Sequence, residues 1–163
     1  MTTFPKHTIY LAGPITGLTH DEARYGWREE FATKLNDMEF QHIFCNSPMR
    51  SKEFLKDSGV LSSGHDYPEH VLATPAGITT RDYNDVKTCS VMVACFLESG
   101  NRPSLGTAAE FGYAWAHQKP IVVIGSKDDV NIRHCMLQRM AGYRVDTVEE
   151  AVLVVGHILT PRI

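Results

Sequence analysis

Glu110 is the residue whose type and position best suit a nucleophile. It lies near the start of a predicted helix, Gly106–His117, whose other early residues are small or apolar, so its carboxylate is not obviously placed for solvent. The positive end of a helix dipole favours the ionised form of a carboxyl group. An ionised carboxylate can attack a sugar carbon and form a covalent intermediate. The same spacing also fits a glutamate that only complements the helix dipole.

Two further carboxylates lie on a predicted helix, Thr79–Thr88. Asp82 and Asp85 are three residues apart, which places them on one face of that helix. Paired carboxylates can divide acid and base work when their environments separate their pKa values. In glycosyl transfer, one carboxylate attacks while a protonated acid assists the leaving group. We therefore expect both to contact substrate; capping or solvation of the helix is the alternative.

Small polar residues precede Glu110 at the start of its helix. Ser104, Gly106 and Thr107 supply two hydroxyls and a flexible backbone position, which suits an anion or a sugar hydroxyl. Ordinary helix N-caps use the same residue types. Tyr10 ends the first predicted strand, so its hydroxyl either reaches the same pocket or lies in the core.

These residues need a parallel sheet to bring them together. Short apolar runs alternate with helical patterns, which predicts a single-domain α/β fold: a doubly wound, flavodoxin-like or Rossmann-like parallel sheet flanked by helices. Such sheets bind ligands at the carboxyl ends of their strands. The predicted strands are His7–Ala12, Glu39–Cys45, Ser90–Leu97, Pro120–Ile124 and Tyr143–Val145, and the predicted helices are Asp21–Leu35, Thr79–Thr88, Gly106–His117, Ile132–Met140 and Thr147–Ile158.

About 30 residues resist assignment to a helix or a strand. The stretch from about 46 to 77 carries Ser, Gly, Pro and two His among scattered apolar residues. Loops this long without regular structure are uncommon and often serve as lids or binding loops. We therefore predict one domain over residues 1–163, with an irregular loop or lid at 46–77.

Composition excludes several classes of function. The net charge of -3 argues against a polynucleotide partner, which would require a basic face. No apolar run approaches the roughly 20 residues that span a bilayer, and the chain opens without a signal-peptide pattern. The histidines lack metal-ligand spacing. We expect a cytoplasmic protein that binds no membrane and uses neither metal nor cofactor.

The motifs together resemble the nucleoside 2-deoxyribosyltransferase family and its nucleotide N-glycosidase relatives. Members open with a strand like T-I-Y-L-A-G, which is Thr8–Gly13 in this chain. They carry an aspartate on a helix before the central strand, which matches Asp82 in R-D-Y-N-D-V-K-T. They place the nucleophile in G-T-x-x-E-x-G-Y-A, which matches Gly106–Ala114. The likeness runs from about residue 7 to the C-terminus.

The resemblance implies roles for the matched residues. Glu110 attacks the anomeric carbon and forms a covalent glycosyl-enzyme, while Tyr10 orients its carboxylate by a hydrogen bond. Asp82 contacts the nucleobase and helps to protonate it as it leaves. The ligands implied are a small nucleoside or nucleotide and a free nucleobase.

The resemblance also implies a border for the pocket and a homo-oligomer with sites near its interfaces. Gly13, Pro14 and Ile15 form the turn that borders the pocket. Met136 matches a position near the site in transferases, where a late segment reaches a neighbouring subunit. The stretch His134–Met136 is therefore expected beside the other site residues.

Position 104 bears on the substrate. Nucleoside transferases of one branch have an aspartate six residues before the nucleophile, which holds the sugar 5′-hydroxyl. The relatives that hydrolyse monophosphates have a serine, as this chain does at Ser104. An aspartate repels phosphate and a serine can donate to it. Other members with small residues here resemble nucleoside enzymes, so this position leaves both substrates open.

Three hypotheses follow from these residues. The first is a 2′-deoxyribosyltransferase that exchanges the base of 2′-deoxynucleosides. The second is an N-glycosidase that hydrolyses nucleosides or their 5′-monophosphates, with water in place of the acceptor base. The third is a nucleotide-binding sensor without catalysis, since one fold hosts unrelated functions.

Overall fold

Five parallel strands form the centre of the molecule. A computed structural model describes residues 6–38 and 42–160. Its sheet has the order β2-β1-β3-β4-β5, and this confirms the predicted flavodoxin-like fold. Residues 39–41, the start of the predicted second strand, lie outside the described residues. The strands are β1 His7–Ala12, β2 Ile43–Asn46, β3 Val91–Cys95, β4 Ile121–Ile124 and β5 Tyr143–Val145.

Helices cover both faces of this sheet. One core joins the sheet to α2 and α7, through residues such as Phe31 and Val152. The opposite core joins it to α3, α4 and α6, through residues such as Val86 and Phe111. The α-helices of the described residues are α1 His20–Arg24, α2 Gly26–Asp37, α3 Pro75–Thr88, α4 Leu105–Ala116, α5 Val130–Arg133, α6 Cys135–Met140 and α7 Val148–Leu159.

Three helices differ from the sequence prediction. The helix predicted over Asp21–Leu35 is two helices that meet at Tyr25: a capping box at Thr19 starts the first, and the second begins at Gly26, which has low helix propensity. The helix predicted over Ile132–Met140 is likewise two helices, which meet at His134. Helix α3 begins earlier than predicted, at Pro75, which suits a first helical position.

The long connection before α3 has a small core of its own. It contains two 3-10 helices, Glu53–Leu55 and Val71–Ala73. Met49, Leu55 and Leu61 are buried against Ala23 of α1. This loop therefore packs as a layer over the β1–α1 connection.

The strand order creates a crevice beside β1. The chain runs from β1 to β2 on one side, then crosses to β3 on the other side of β1. Ala12 pairs with Ala94, so β1 and β3 end side by side. Doubly wound sheets bind ligands at such a topological switch point. The residues that follow these two strands therefore border the expected site.

Gly13 makes the tightest approach at this edge, and its substitution tests the packing there. A Cβ atom at Gly13 would lie 2.8 Å from the carbonyl oxygen of Cys95, a backbone atom that cannot step aside. We expect Gly13→Ala to lower the free energy of unfolding by about 1–3 kcal/mol, the usual cost of overpacking. Urea denaturation followed by circular dichroism measures this loss.

Gly112 offers the matched control on an exposed part of α4. A Cβ atom there meets nothing within 4 Å. Gly112→Ala should stabilise the protein by about 0.5–1 kcal/mol, because alanine loses less backbone entropy in a helix. Equal unfolding midpoints for Gly13→Ala and the natural protein would contradict the packing described.

Candidate active site

A cavity of about 510 Å³ opens at the switch point between β1 and β3. Most of the residues singled out in the sequence line it directly, and they come from the β1–α1 turn, from α3 and from α4. Those residues are Gly13, Pro14, Ile15, Asp82, Ser104, Gly106, Thr107 and Glu110. The fold thus collects in one cavity side chains that are about 100 positions apart in the chain.

Tyr10 and Glu110 form a buried hydrogen-bonded pair at this cavity. The Tyr10 hydroxyl donates to Glu110 Oε1 at 2.6 Å. Tyr10 is fully buried at the end of β1, and Glu110 is 9% exposed. Burial, followed by the charge of Glu110, raises the pKa of Tyr10 well above its usual range. The phenol therefore stays protonated and holds one carboxylate oxygen in place.

Burial decides the protonation of Glu110. The pKa of this carboxyl is raised from 4.5 to about 8, chiefly by burial and also by the charge of the neighbouring Asp82. The Tyr10 hydrogen bond and the charges of Arg28 and Lys52 act in the opposite direction. Because α4 begins at Leu105, Glu110 lies in its second turn, where the helix dipole has little effect. The expected stabilisation of the ionised form by the dipole is therefore outweighed.

Arg28 supplies a positive charge beneath the β1–α1 turn. It is 2% exposed and lies on α2. Its guanidinium donates to three backbone carbonyls, those of Leu11, Gly13 and Ala23, at 3.2, 3.2 and 2.6 Å. No carboxylate of the described residues forms an ion pair with it within 4.0 Å. The residue thus fixes the turn and leaves its charge to act on Glu110.

Asp82 is the second carboxylate of the cavity. Arg81, the preceding residue, donates to its Oδ1 at 3.2 Å from both Nε and Nη2. Burial raises the pKa of Asp82, and the charges of Arg81 and Lys52 partly offset that rise. The surroundings of Asp82 therefore favour its protonated form more than solvent does.

Asp85 does not share the cavity, contrary to the sequence expectation. It is 4% exposed, and Arg50 binds both of its oxygens at 2.5 and 2.9 Å. Residues three apart on a helix are separated by almost one turn along the helix axis. Asp85 therefore lies next to Arg50 and outside the cavity. The predicted acid and base pair is therefore corrected: Asp85 fastens the loop to α3.

A buried network positions Ser104. The Ser104 backbone N–H donates to Asn131 Oδ1 at 2.8 Å, and its hydroxyl donates to the Thr107 hydroxyl at 2.9 Å. Asn131 in turn donates to Asp129, which also accepts from Ser99. The start of α4 is thus held against α5, with the Ser104 hydroxyl at the cavity.

Met136 lies outside the cavity of its own chain. Its residue is 63% exposed on α6, and the stretch His134–Met136 contributes nothing to the cavity lining. Helix α6 packs against α4 on the sheet face, and this turns the stretch away from the switch point. The sequence expectation that this stretch joins the others is therefore corrected for a single chain.

Several cavity residues carried little signal in the sequence. Lys52 follows β2 in the irregular loop, where no periodicity marks a buried position. Arg102 lies at the cavity rim, two residues before Ser104. The burial of Arg28 could have been predicted from the sequence, because Arg28 precedes Phe31 by three positions and Leu35 by seven and so shares their buried face. From the long loop, the lining residues are Pro48, Lys52, Ser62, Ser63, Gly64 and Tyr67.

Two kinds of feature are absent from residues 6–38 and 42–160. No cluster of three or more His, Cys, Asp or Glu side chains there could hold a metal ion. Over the same residues, no helix has the length and apolar character needed to cross a membrane.

A family model matches almost the whole chain. The model described as nucleoside 2-deoxyribosyltransferase covers residues 9–152, which include Tyr10, Asp82 and Glu110. Among curated proteins, no sequence matches this chain.

Solved structures share the architecture. A conserved protein from Enterococcus faecalis V583 has 16% identity and a TM-score of 0.62, with 93% of this chain and 98% of that chain covered. BlsM has 23% identity and a TM-score of 0.58, with 98% of both chains covered. The CMP N-glycosidase BcmB from Clostridium botulinum has 17% identity and a TM-score of 0.53, with 92% and 98% covered. At these identities, the similarity shows a common fold.

The pKa of Glu110 gives a direct test of this electrostatic description. In protein labelled with ¹³C at glutamate carboxyl carbons, we expect the Glu110 resonance to titrate near pH 8, whereas a solvated glutamate titrates near 4.5. Tyr10→Phe removes a hydrogen bond that favours the carboxylate, so the Glu110 midpoint should rise further. A Glu110 midpoint near 4.5 would contradict the description.

Stability supplies the matching control. A carboxyl group whose folded pKa exceeds its unfolded pKa binds an extra proton in the folded state, so stability falls as pH rises from about 4.5 to about 8. Glu110→Gln should remove this contribution to the loss of stability with rising pH, because the glutamine side chain does not titrate. Unfolding free energies at pH 5 and pH 8 for both proteins measure the difference.

Proposed function

Since the chain belongs to the nucleoside 2-deoxyribosyltransferase family, we propose that it breaks the N-glycosidic bond of a small nucleoside or nucleotide, with Glu110 as the nucleophile. The observation that carries this proposal is the buried Tyr10–Glu110 hydrogen bond at the switch-point cavity. A purely structural carboxylate has no need of a phenol that fixes one oxygen while the cavity receives the other. Asp82 in the same cavity supplies the acid that a departing base requires.

The first step joins Glu110 to the sugar. A Glu110 carboxylate oxygen attacks the anomeric carbon, and the bond between that carbon and the base nitrogen breaks with its electron pair leaving on the base. Asp82 delivers a proton to the base. The charge of Asp82 raises the pKa of Glu110, and burial raises the pKa of Asp82, so a state in which the two carboxyl groups hold one proton between them is favoured over the doubly ionised state, and this step uses it.

The end of the cavity near Ser104 supports a 5′-phosphate. Asp82 and Glu110 are the carboxylates among the described lining residues, and the loop that precedes α4 contributes none. Arg102 lies at the rim there, with donors to the carbonyls of Ser99 and Thr16 at 3.3 and 3.5 Å. A hydroxyl, a guanidinium and a helix start suit a phosphate dianion. We therefore propose that the protein hydrolyses the N-glycosidic bond of a nucleoside 5′-monophosphate. One of the structural neighbours is named as an N-glycosidase of this kind.

Deoxyribosyl transfer is the second candidate. Here a second base, rather than water, releases the sugar from Glu110. The observation that favours it is the extent to which the long loop walls the cavity, with Ser62, Gly64 and Tyr67 in the lining. Such a wall can keep water from the intermediate while bases exchange.

The surroundings of the site complete the proposal. Leu105, at the cavity rim, is 84% exposed, and a second copy of the chain would cover it in a homo-oligomer. All four cysteines are free thiols, which suits the reducing cytoplasm.

Trapping the covalent intermediate tests the role of Glu110. A 2-deoxy-2-fluoro nucleoside or its 5′-monophosphate should leave a sugar adduct on the peptide that contains Glu110, because the fluorine slows release of the intermediate. Glu110→Ala should lose the adduct and at least about 1,000-fold in turnover. Intact-protein and peptide mass spectrometry measure the first, and chromatography of released base measures the second.

Glu98→Gln is the control, since Glu98 is a carboxylate close to the site that does not line the cavity. It should keep the adduct and the activity. Full activity of Glu110→Ala would exclude the mechanism. Binding of nucleotide by the natural protein without any turnover would favour the sensor hypothesis.

Ser104→Asp tests whether the cavity accepts a 5′-phosphate or a 5′-hydroxyl on the sugar. A carboxylate beside a bound phosphate is repulsive, so this variant should lose at least about 10-fold in kcat/KM for 5′-monophosphates, with nucleosides little affected. The assay follows each substrate alone and with a different free base. Exchange that needs the acceptor base, with no loss for Ser104→Asp, would instead establish the transferase.

A further inference from the structure

Lys52 is a buried cation that points to a ligand. It lies at the start of the 3-10 helix Glu53–Leu55, is 2% exposed and lines the cavity. Among the described residues, its ammonium makes no hydrogen bond and no ion pair within 4.0 Å. Leu55, fully buried three positions later, holds this segment in the small core of the loop.

A cation on a residue that is 2% exposed and has no partner within the described part of the chain is costly. Desolvation of a charged group costs several kcal/mol unless another group compensates. Burial lowers the pKa of Lys52 to about 8, and the charges of Asp82 and then Glu110 support the protonated form. The ammonium therefore persists at neutral pH, with donors that a bound molecule can use.

The topology places Lys52 away from the proposed phosphate. Lys52 follows β2, whereas the Ser104 backbone is tied to Asn131, which follows β4. In the order β2-β1-β3-β4-β5, these two strands flank the β1–β3 crevice on opposite sides. Lys52 thus belongs to the Asp82 side of the cavity, where the leaving base lies in the proposed function.

We infer that Lys52 donates a hydrogen bond to a carbonyl oxygen of the leaving base that adjoins the glycosidic nitrogen, which makes pyrimidine nucleosides or nucleotides the preferred substrate class. This inference rests on the proposed function. In a pyrimidine the 2-oxo oxygen lies next to the scissile bond, within reach of a cation that faces both Asp82 and Glu110. In a purine any carbonyl oxygen lies on the far ring, and the acceptor beside the scissile bond is a ring nitrogen, which projects less far than a carbonyl oxygen.

The role of Lys52 follows from where the electron pair goes in the first step. When the bond from the anomeric carbon to the pyrimidine nitrogen breaks, the electron pair passes onto the base and spreads to the 2-oxo oxygen. The Lys52 ammonium stabilises this charge without transferring its proton, and the proton that neutralises the base comes from Asp82. The sugar is then held as an ester of Glu110, and water or a second base releases it.

Substitution of Lys52 tests the inference with paired substrates. Lys52→Met should lose about 100-fold in kcat/KM for a cytosine or uracil nucleotide, the usual cost of removing a donor that stabilises developing charge. The adenine and hypoxanthine nucleotides, cleaved more slowly by the natural protein, should change by less than about 3-fold. With 5-fluorouracil as the leaving base, the loss should shrink, because a more acidic base needs less stabilisation.

Two variants guard against a merely structural effect. Lys52→Arg keeps the cation and should retain more pyrimidine activity than Lys52→Met. Thermal unfolding of Lys52→Met should occur at or above the natural temperature, because the substitution removes a buried charge. Lys52→Gln, of similar length, replaces it in the assays if the methionine variant fails to fold.

The other outcomes overturn the inference. Equal losses on both base classes, a loss that ignores leaving-group acidity, or a change confined to the preference for 5′-monophosphates would place Lys52 at the sugar or the phosphate. If the natural protein cleaves neither base class, the proposed function itself fails. If it cleaves both and Lys52→Met is unaffected, only the inference about Lys52 fails.

Discussion

The site depends on one buried hydrogen bond between the sheet and a helix. The Tyr10 hydroxyl comes from the end of β1 and the Glu110 carboxylate from the second turn of α4, 100 positions later. Tyr10 is fully buried and Glu110 is largely so, and each supplies a polar partner that the other requires. The bond sets the position of α4 relative to β1, and the remaining cavity residues follow from that placement.

Charge around this bond is balanced without a direct ion pair to Glu110. Burial and Asp82 favour the neutral carboxyl, while Arg28 beneath the turn and Lys52 in the loop favour the carboxylate. The Arg28 guanidinium donates its hydrogen bonds to backbone carbonyls, so it does not form a salt bridge with Glu110. A carboxylate kept free of a salt bridge retains its reactivity, and positive charge nearby keeps it accessible at moderate pH.

The fold and the central pair could be predicted because they obey local rules. Buried parallel strands read as continuous apolar runs, and Tyr10 lies on one such strand while Glu110 lies on an apolar helix. The protonation of Glu110 could not be predicted in the same way. A helix dipole contributes about 0.3–1 kcal/mol over one turn, whereas burial of a carboxylate costs several kcal/mol, and burial depends on packing from distant parts of the chain.

The burial and pairing of residues at the long loop could not be predicted from local sequence rules, for a related reason. Lys52 lies in a loop whose apolar residues pack against α1, and no periodic pattern within the loop records its burial. Asp85 and Asp82 share a helix face, yet the position of Arg50 in the folded loop separates their surroundings. Pairing of this kind is decided by tertiary contacts between segments that are far apart in sequence.

The layer that covers the β1–α1 connection has its own hydrophobic cluster, separate from the two cores of the sheet. Backbone hydrogen bonds from Gly17 to Leu61 and from Leu61 to Leu18, at 2.8 and 2.7 Å, join the loop to that connection. Segments with a small hydrophobic core of their own open locally at a lower free energy than the whole domain. We therefore expect this wall of the cavity to open before the sheet does, with Tyr10 and Glu110 still assembled.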